Sequence, residues 1–69
     1  MIPLGLYRHY KGTIYQVLGL AKHSETLEEL VVYKNTKDQS LWARPVSMFL
    51  EEVEVNGQKQ LRFTRLKSN

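Results

Sequence analysis

Proline or glycine interrupts this chain at positions 3, 5, 12, 19, 45 and 57. Between those points the apolar residues alternate or form short runs, without the three-to-four spacing of a long amphipathic helix. The sequence therefore predicts short strands joined by turns. With 69 residues and no cysteine, there is room for one domain, residues 1–69, whose core must hold without a disulfide. A domain of about 60 residues buries only about 60% of the surface its unfolded chain exposes. Two histidines cannot by themselves complete a structural zinc site, so neither a metal nor a cofactor is expected.

Strands are read over residues 13–20, 29–34 and 40–44, each rich in β-branched or aromatic side chains. In the first, Ile14, Leu18 and Leu20 fall on one side of the alternation and Tyr15 and Val17 on the other. Pro45, which has no N–H to continue a ladder, ends the third. Residues 46–49 suit a single 3₁₀ turn. A hairpin follows, with 52–55 and 60–65 as its strands and Asn56-Gly57 supplying the positive φ angles of a type I′ turn. Leu61 and Phe63 are expected to share a face with Val53 and Val55, leaving Arg62 and Thr64 toward water. Residues 21–28 read as a structured loop. Four to five short, mostly antiparallel strands with one 3₁₀ turn suggest an all-β domain, a small SH3-like barrel, with an OB-like barrel as the alternative. Residues 1–10 read as a short N-terminal arm and 66–69 as a basic tail.

The net charge of +3 is unevenly spread. Lys59, Arg62, Arg65 and Lys67 stand in a stretch with no acid, and the rest of the chain, with six bases and seven acids, is slightly acidic. This favours a local contact over a generally basic nucleic-acid surface. No segment approaches the roughly 18 apolar residues of a membrane-spanning helix. The apolar start is followed, not preceded, by Arg8, His9 and Lys11, the reverse of a secretory signal, so a cytoplasmic protein with no membrane contact is expected.

Several constellations bear on function. His23, Ser24, Glu25 and Thr26 combine an imidazole, two hydroxyls and a carboxylate, but consecutive residues seldom converge as a catalytic set needs. The structural alternative is that Ser24 and Thr26 bond backbone amides and tie the loop down. In 41–44 the alternation places Leu41 and Ala43 on one side and Trp42 and Arg44 on the other. If Leu41 and Ala43 face the core, then Trp42, Arg44, Tyr33 and Tyr15 line a half-exposed groove suited to a peptide, protein or small ligand. If they do not, the single tryptophan is a core residue. Both placements remain open on the sequence. The favoured reading is a non-catalytic binding module that uses Tyr15, His23, Glu25, Tyr33, Trp42 and Arg44. The alternative is RNA or single-stranded DNA binding through Arg8, Lys11, Lys59, Arg62, Arg65 and Lys67.

Gly12-Thr13-Ile14-Tyr15, Val17-Leu18-Gly19, residues 21–26 (AKHSET), Val31-Val32-Tyr33, residues 41–45 (LWARP) and Met48-Phe49 together resemble the small bacterial domain of unknown function family 1653. The resemblance runs from about Tyr10 to Phe63. It implies a compact stand-alone bacterial module. It carries no catalytic or ligand residue over, because the family has no assigned activity.

Overall fold

The computed structural model describes residues 2–66. Seven strands and one helical turn follow in order: β1 Gly5–His9, β2 Ile14–Lys22, β3 Glu29–Asn35, β4 Leu41–Pro45, α1 Val46–Phe49, β5 Glu52–Val55, β6 Gln58–Leu61 and β7 Phe63–Arg65. Five of the strands form one antiparallel sheet in the order β4-β3-β2-β1-β7, and β5 pairs only with β6. The fold is thus mostly β, as the alternation predicts. Among the described residues the strands do not close into the expected SH3-like or OB-like barrel, because β4 and β7 are left as sheet edges. The expected N-terminal arm holds β1, which lies between β2 and β7. Of the expected tail, residues 67–69 lie outside the described residues.

Two local features explain why the sheet stays open. The strand expected over 60–65 breaks at Arg62, whose N–H donates to the Glu51 carbonyl while its own carbonyl accepts from the Tyr10 N–H. Residues before the break pair with β5, and those after it pair with β1. Phe63 is consequently a core residue of the main sheet, whereas Leu61 sits opposite Glu52 on the hairpin and is exposed. At the other edge β4 ends with Pro45 and the chain turns into α1. The Leu50 N–H donates to the Val46 carbonyl at 3.0 Å with α spacing, and the Glu51 N–H to Met48 at 3.3 Å with 3₁₀ spacing. The expected 3₁₀ turn is therefore an α turn with a 3₁₀ finish.

β2 departs from simple alternation. Val17 pairs with Tyr33 but Gly19 pairs with Val32, so Leu18 is an extra, bulged residue. The bulge resets the phase and moves Leu20 to the side of Tyr15 and Val17, opposite the buried Val31. The hairpin turn matches its expectation, with Asn56 at φ 53° and Gly57 at φ 79° and a two-residue loop closed by Val55 and Gln58.

Ile2, Tyr7, Val17, Val31, Tyr33, Phe49 and Phe63 make up the core. Phe49, delivered by α1, is its keystone. Its ring stacks on Phe63 with centroids 4.1 Å apart and planes within 6°, and it meets Tyr7 and Tyr33 edge-on at 5.3 and 5.7 Å. Each such pair adds about 0.5–1.5 kcal/mol beyond area burial. A domain of this size seldom draws more than ~3–5 kcal/mol from its core, and truncating a buried phenylalanine to alanine costs about 3–5 kcal/mol. Phe49→Ala is expected to leave the chain largely unfolded at 25 °C, read as loss of the cooperative thermal transition in circular dichroism.

Candidate functional site

Cross-strand partners share a sheet face, which places the candidate aromatic residues unambiguously. Val17 pairs with Tyr33, Tyr33 with Trp42, and Val31 with Arg44. Trp42 and Arg44 thus lie on the same side as Tyr33, Tyr15 and the core. Of the two placements the sequence leaves open, the one with Leu41 and Ala43 toward the core does not occur. Leu41 is 66% exposed on the outer side, because the core forms where Val31 and Tyr33 lie under Phe49. Trp42 remains 53% exposed since β4 is an edge.

A relay in the β3–β4 turn fixes the indole. Trp42 Nε1–H donates to Ser40 Oγ at 2.8 Å, and Ser40 Oγ–H donates to Asp38 Oδ1 at 2.6 Å. That hydroxyl, with the Ser40 N–H, holds the Asp38 carboxyl below its usual range. Asn35 Oδ1 accepts from the amides of Lys37 and Asp38 and sets the turn.

Arg44 reaches across the core. Its guanidinium carbon lies 5.9 Å from the Phe63 ring and its Nε–H donates to the Tyr33 hydroxyl at 3.3 Å. Because β4 and β7 are opposite edges, this contact shows that the open sheet curls until its edges approach. Tyr33 itself is buried, and Tyr15 is half-buried against it, with ring centroids 5.1 Å apart.

His9, the last residue of β1, lies on this same face opposite Phe63. Its ring packs against Tyr10 at 4.6 Å, Phe63 at 5.0 Å and Tyr15 at 6.4 Å. Nδ1 accepts the Lys11 N–H at 3.2 Å, which leaves the proton of the neutral ring on Nε2. Burial lowers the pKa of His9, and the positive charges of Arg62, Arg44 and Lys11 lower it further. Two of these cations lie on rings that His9 packs against, Arg44 on Phe63 and Lys11 on Tyr10, and Arg62 immediately precedes Phe63 in the chain. Arg62 is paired with Glu51 at 2.9 Å, the one ion pair among the described residues. Lys11 also caps the Tyr10 ring at 5.8 Å and, with Lys37, lines a shallow groove between the β1–β2 and β3–β4 turns.

The remaining candidates do not join this cluster. His23 and Glu25 sit on the exposed β2–β3 loop, separated from His9 by the nine-residue length of β2. Here His23, not Ser24, ties the loop, since its Nδ1 accepts from the amides of Glu25 and Thr26 at 3.2 and 3.4 Å. Thr26 Oγ1 accepts from the Glu28 N–H, as expected. The expected basic surface is dispersed. Arg8 pairs with Ile14 and Thr64 on the outer face, Lys59 lies opposite Glu54, and Arg62 is half-buried with Glu51 and not toward water. Arg65 donates to the Leu4 carbonyl at 3.4 Å beside Tyr7, whose phenol is raised by burial against the pull of Arg65. Lys67 lies outside the described residues. Among the described residues no three metal-ligating side chains gather, and no helix is long and apolar enough to cross a membrane.

Residues 5–65 match the family described as protein of unknown function DUF1653. The chain belongs to that family. A crystal structure of a DUF1653 protein from Bordetella bronchiseptica is similar to it, at 32% identity and a TM-score of 0.85 over 99% of this chain and 95% of that one. No curated protein matches. In this DUF1653 chain, His9 is the site residue that sequence reasoning passes over. The signal lies in the alternation of Gly5, Tyr7 and His9 against Leu6 and Arg8, which marks a strand where Pro3 and Gly5 suggest an arm. Ser40→Ala should leave the far-ultraviolet spectrum unchanged at a stability cost within about 1 kcal/mol. By releasing the only tryptophan, it should lower that residue's fluorescence anisotropy.

Proposed function

We propose that this DUF1653 chain is a non-catalytic binding module that holds an anionic group, carried on a planar ligand, against the curled face around His9. The observation that supports this most directly is a half-buried imidazole walled by Tyr10, Tyr15 and Phe63, with Lys11 on the Tyr10 ring and Arg44 on the Phe63 ring, neither of them paired with a carboxylate among the described residues, and Arg62 beside them on Glu51. Cations gathered without matching acids are destabilising by themselves and are relieved by an anion. The flanking ring faces and the tethered, half-exposed indole offer stacking area at low entropic cost. The buried Nε–H of Arg62, without an acceptor among the described residues, and the Nε2–H of neutral His9 are donors for the oxygens of such a group.

Binding is favoured over catalysis because the face has donors and cations but, among the described residues, no nucleophile hydrogen-bonded to a base. His23 and Glu25, which the sequence offers as an imidazole and a carboxylate close together, stand on the exposed β2–β3 loop at the far end of β2. A peptide, a protein or a small molecule can each present an anion on a ring, so the ligand is defined here by that chemistry.

Phenyl phosphate, titrated into labelled protein and followed by nuclear magnetic resonance, is expected to shift the amides of 9–11, 15, 44 and 62. Phenol should not. Arg44→Gln should weaken the response at least about tenfold, the loss of roughly one charge-assisted hydrogen bond, with the fold intact. Equal responses from wild type and Arg44→Gln would contradict the assignment, and so would slow release of inorganic phosphate, which would place the site among hydrolases.

A further inference from the structure

The edges of this fold are protected unequally. The β5–β6 hairpin carries Glu52, Glu54 and Lys59, and β7 is only three residues long and ends in Arg65. Charge and shortness of this kind keep strand edges from pairing with other chains. β4 has neither guard over Leu41, Trp42 and Ala43, all exposed. Its backbone is also correctly disposed to accept a strand. The Asn35 N–H donates to the Ser40 carbonyl across the β3–β4 ladder at 2.9 Å. Hydrogen-bonded pairs alternate in an antiparallel ladder, so Tyr33–Trp42 and Val31–Arg44 are the next such pairs. The N–H and carbonyl groups of Leu41 and Ala43, and the carbonyl of Pro45, therefore point away from β3 toward the open edge.

We infer that β4 pairs antiparallel with β4 of a second copy of this chain, about a two-fold axis at Ala43. A two-fold interface must be self-complementary, and residues 41–45 meet that demand at each position. Ala43 lies opposite the partner's Ala43 and exchanges both hydrogen bonds with it. The Leu41 N–H reaches the partner's Pro45, whose carbonyl accepts, so the missing N–H of proline falls where only an acceptor is needed. Trp42 lies beside the partner's Arg44 in a non-hydrogen-bonded pair, the position where side chains approach most closely. There the half-exposed indole can cover the aliphatic stem of the partner's Arg44, whose guanidinium stays on its own chain's Tyr33 and Phe63. An axis at Trp42 would instead oppose the two indoles and set Arg44 against the partner's Ser40, without that contact. Two five-strand sheets joined at β4 form one continuous sheet, which brings the two faces around His9 side by side. Strands of five residues bury less than a standard interface, so the pairing belongs to the weak, concentration-dependent class.

Sedimentation across a concentration series is expected to show the mass rising from 8.1 kDa toward twice that value. Ala43→Pro removes an N–H that the fold does not use, a substitution edge strands tolerate, and should keep the mass at the monomer value with an unchanged circular dichroism spectrum. Ala43→Cys supplies a second reading that does not depend on proline being accommodated. The chain has no cysteine, and a hydrogen-bonded pair about 5.5 Å apart at Cα is within disulfide reach. Oxidation should therefore crosslink Ala43→Cys at least tenfold faster than a cysteine at the exposed bulge residue, Leu18→Cys. A wild type that is monomeric at every concentration would overturn the inference, as would a dimer in which the two cysteine variants crosslink at equal rates. Either result would leave the edge to an extended peptide of another protein or to no partner.

Discussion

The contact between Phe49 and Phe63 is the one on which the other features of the fold depend. The main sheet is open, the outer edges of β4 and β7 pair with no strand among the described residues, and there is no disulfide to staple it. Its curl is held by a single turn of helix that inserts one ring against the ring of the last strand. Tyr7, Tyr15 and Tyr33 pack around that pair from three successive strands. A thin core gains more from a few large, flat side chains than from many small ones, because each aromatic ring buries on the order of 150–250 Å².

The same packing sets the electrostatics of the curled face. Curling carries Arg44 from one edge to the ring of Phe63 on the other, and the bend at Arg62 sets a second guanidinium on Glu51, where its charge still bears on His9. Lys11 completes the set from the β1–β2 turn. An imidazole so placed is held neutral, since burial and like charge both oppose its protonation. The consequence for stability has a definite sign. With a folded pKa below the ordinary value of about 6.5, the unfolded chain binds the proton more readily. The stability associated with neutral His9 is present above that value and is lost as the pH falls below it. Anion binding reverses the balance by neutralising the cations, so a bound anion should bring a proton with it.

Much of the architecture was legible because it depends on local chemistry. Asn56-Gly57 can be little other than a type I′ turn, and Pro45 had to end a strand. The β-branched and aromatic runs became β2 and β3. What could not be read were the places where tertiary contacts override alternation. The bulge at Leu18 changes the phase of β2 without any local mark beyond Gly19, and it moved Leu20 across the sheet. Arg62 breaks an unbroken alternating run because its backbone is claimed by Glu51 and Tyr10, partners 11 and 52 positions away in sequence. Closure failed for the same reason, since whether two edges pair depends on the curl and not on either strand's composition. Of the candidate site, the pairing of Trp42 with Arg44 on one side of β4 was readable from period-two spacing, but which side of the sheet they share with Tyr15 and Tyr33 was left open and is the core side. His9 was not readable, because its importance arises only when Phe63 and Arg44, distant in sequence, are brought to it.

The ionisation of His9 tests this account most directly. In a His23→Gln background it is the sole histidine, and its ring resonances can be followed through a pH titration by nuclear magnetic resonance, with and without phenyl phosphate. The predicted result is a pKa below the ordinary imidazole value in the free protein, rising when the anion is bound. A value at or above the ordinary one in the free protein, or one that the anion leaves unmoved, would show that the cations do not act on His9 and would remove the basis of the site.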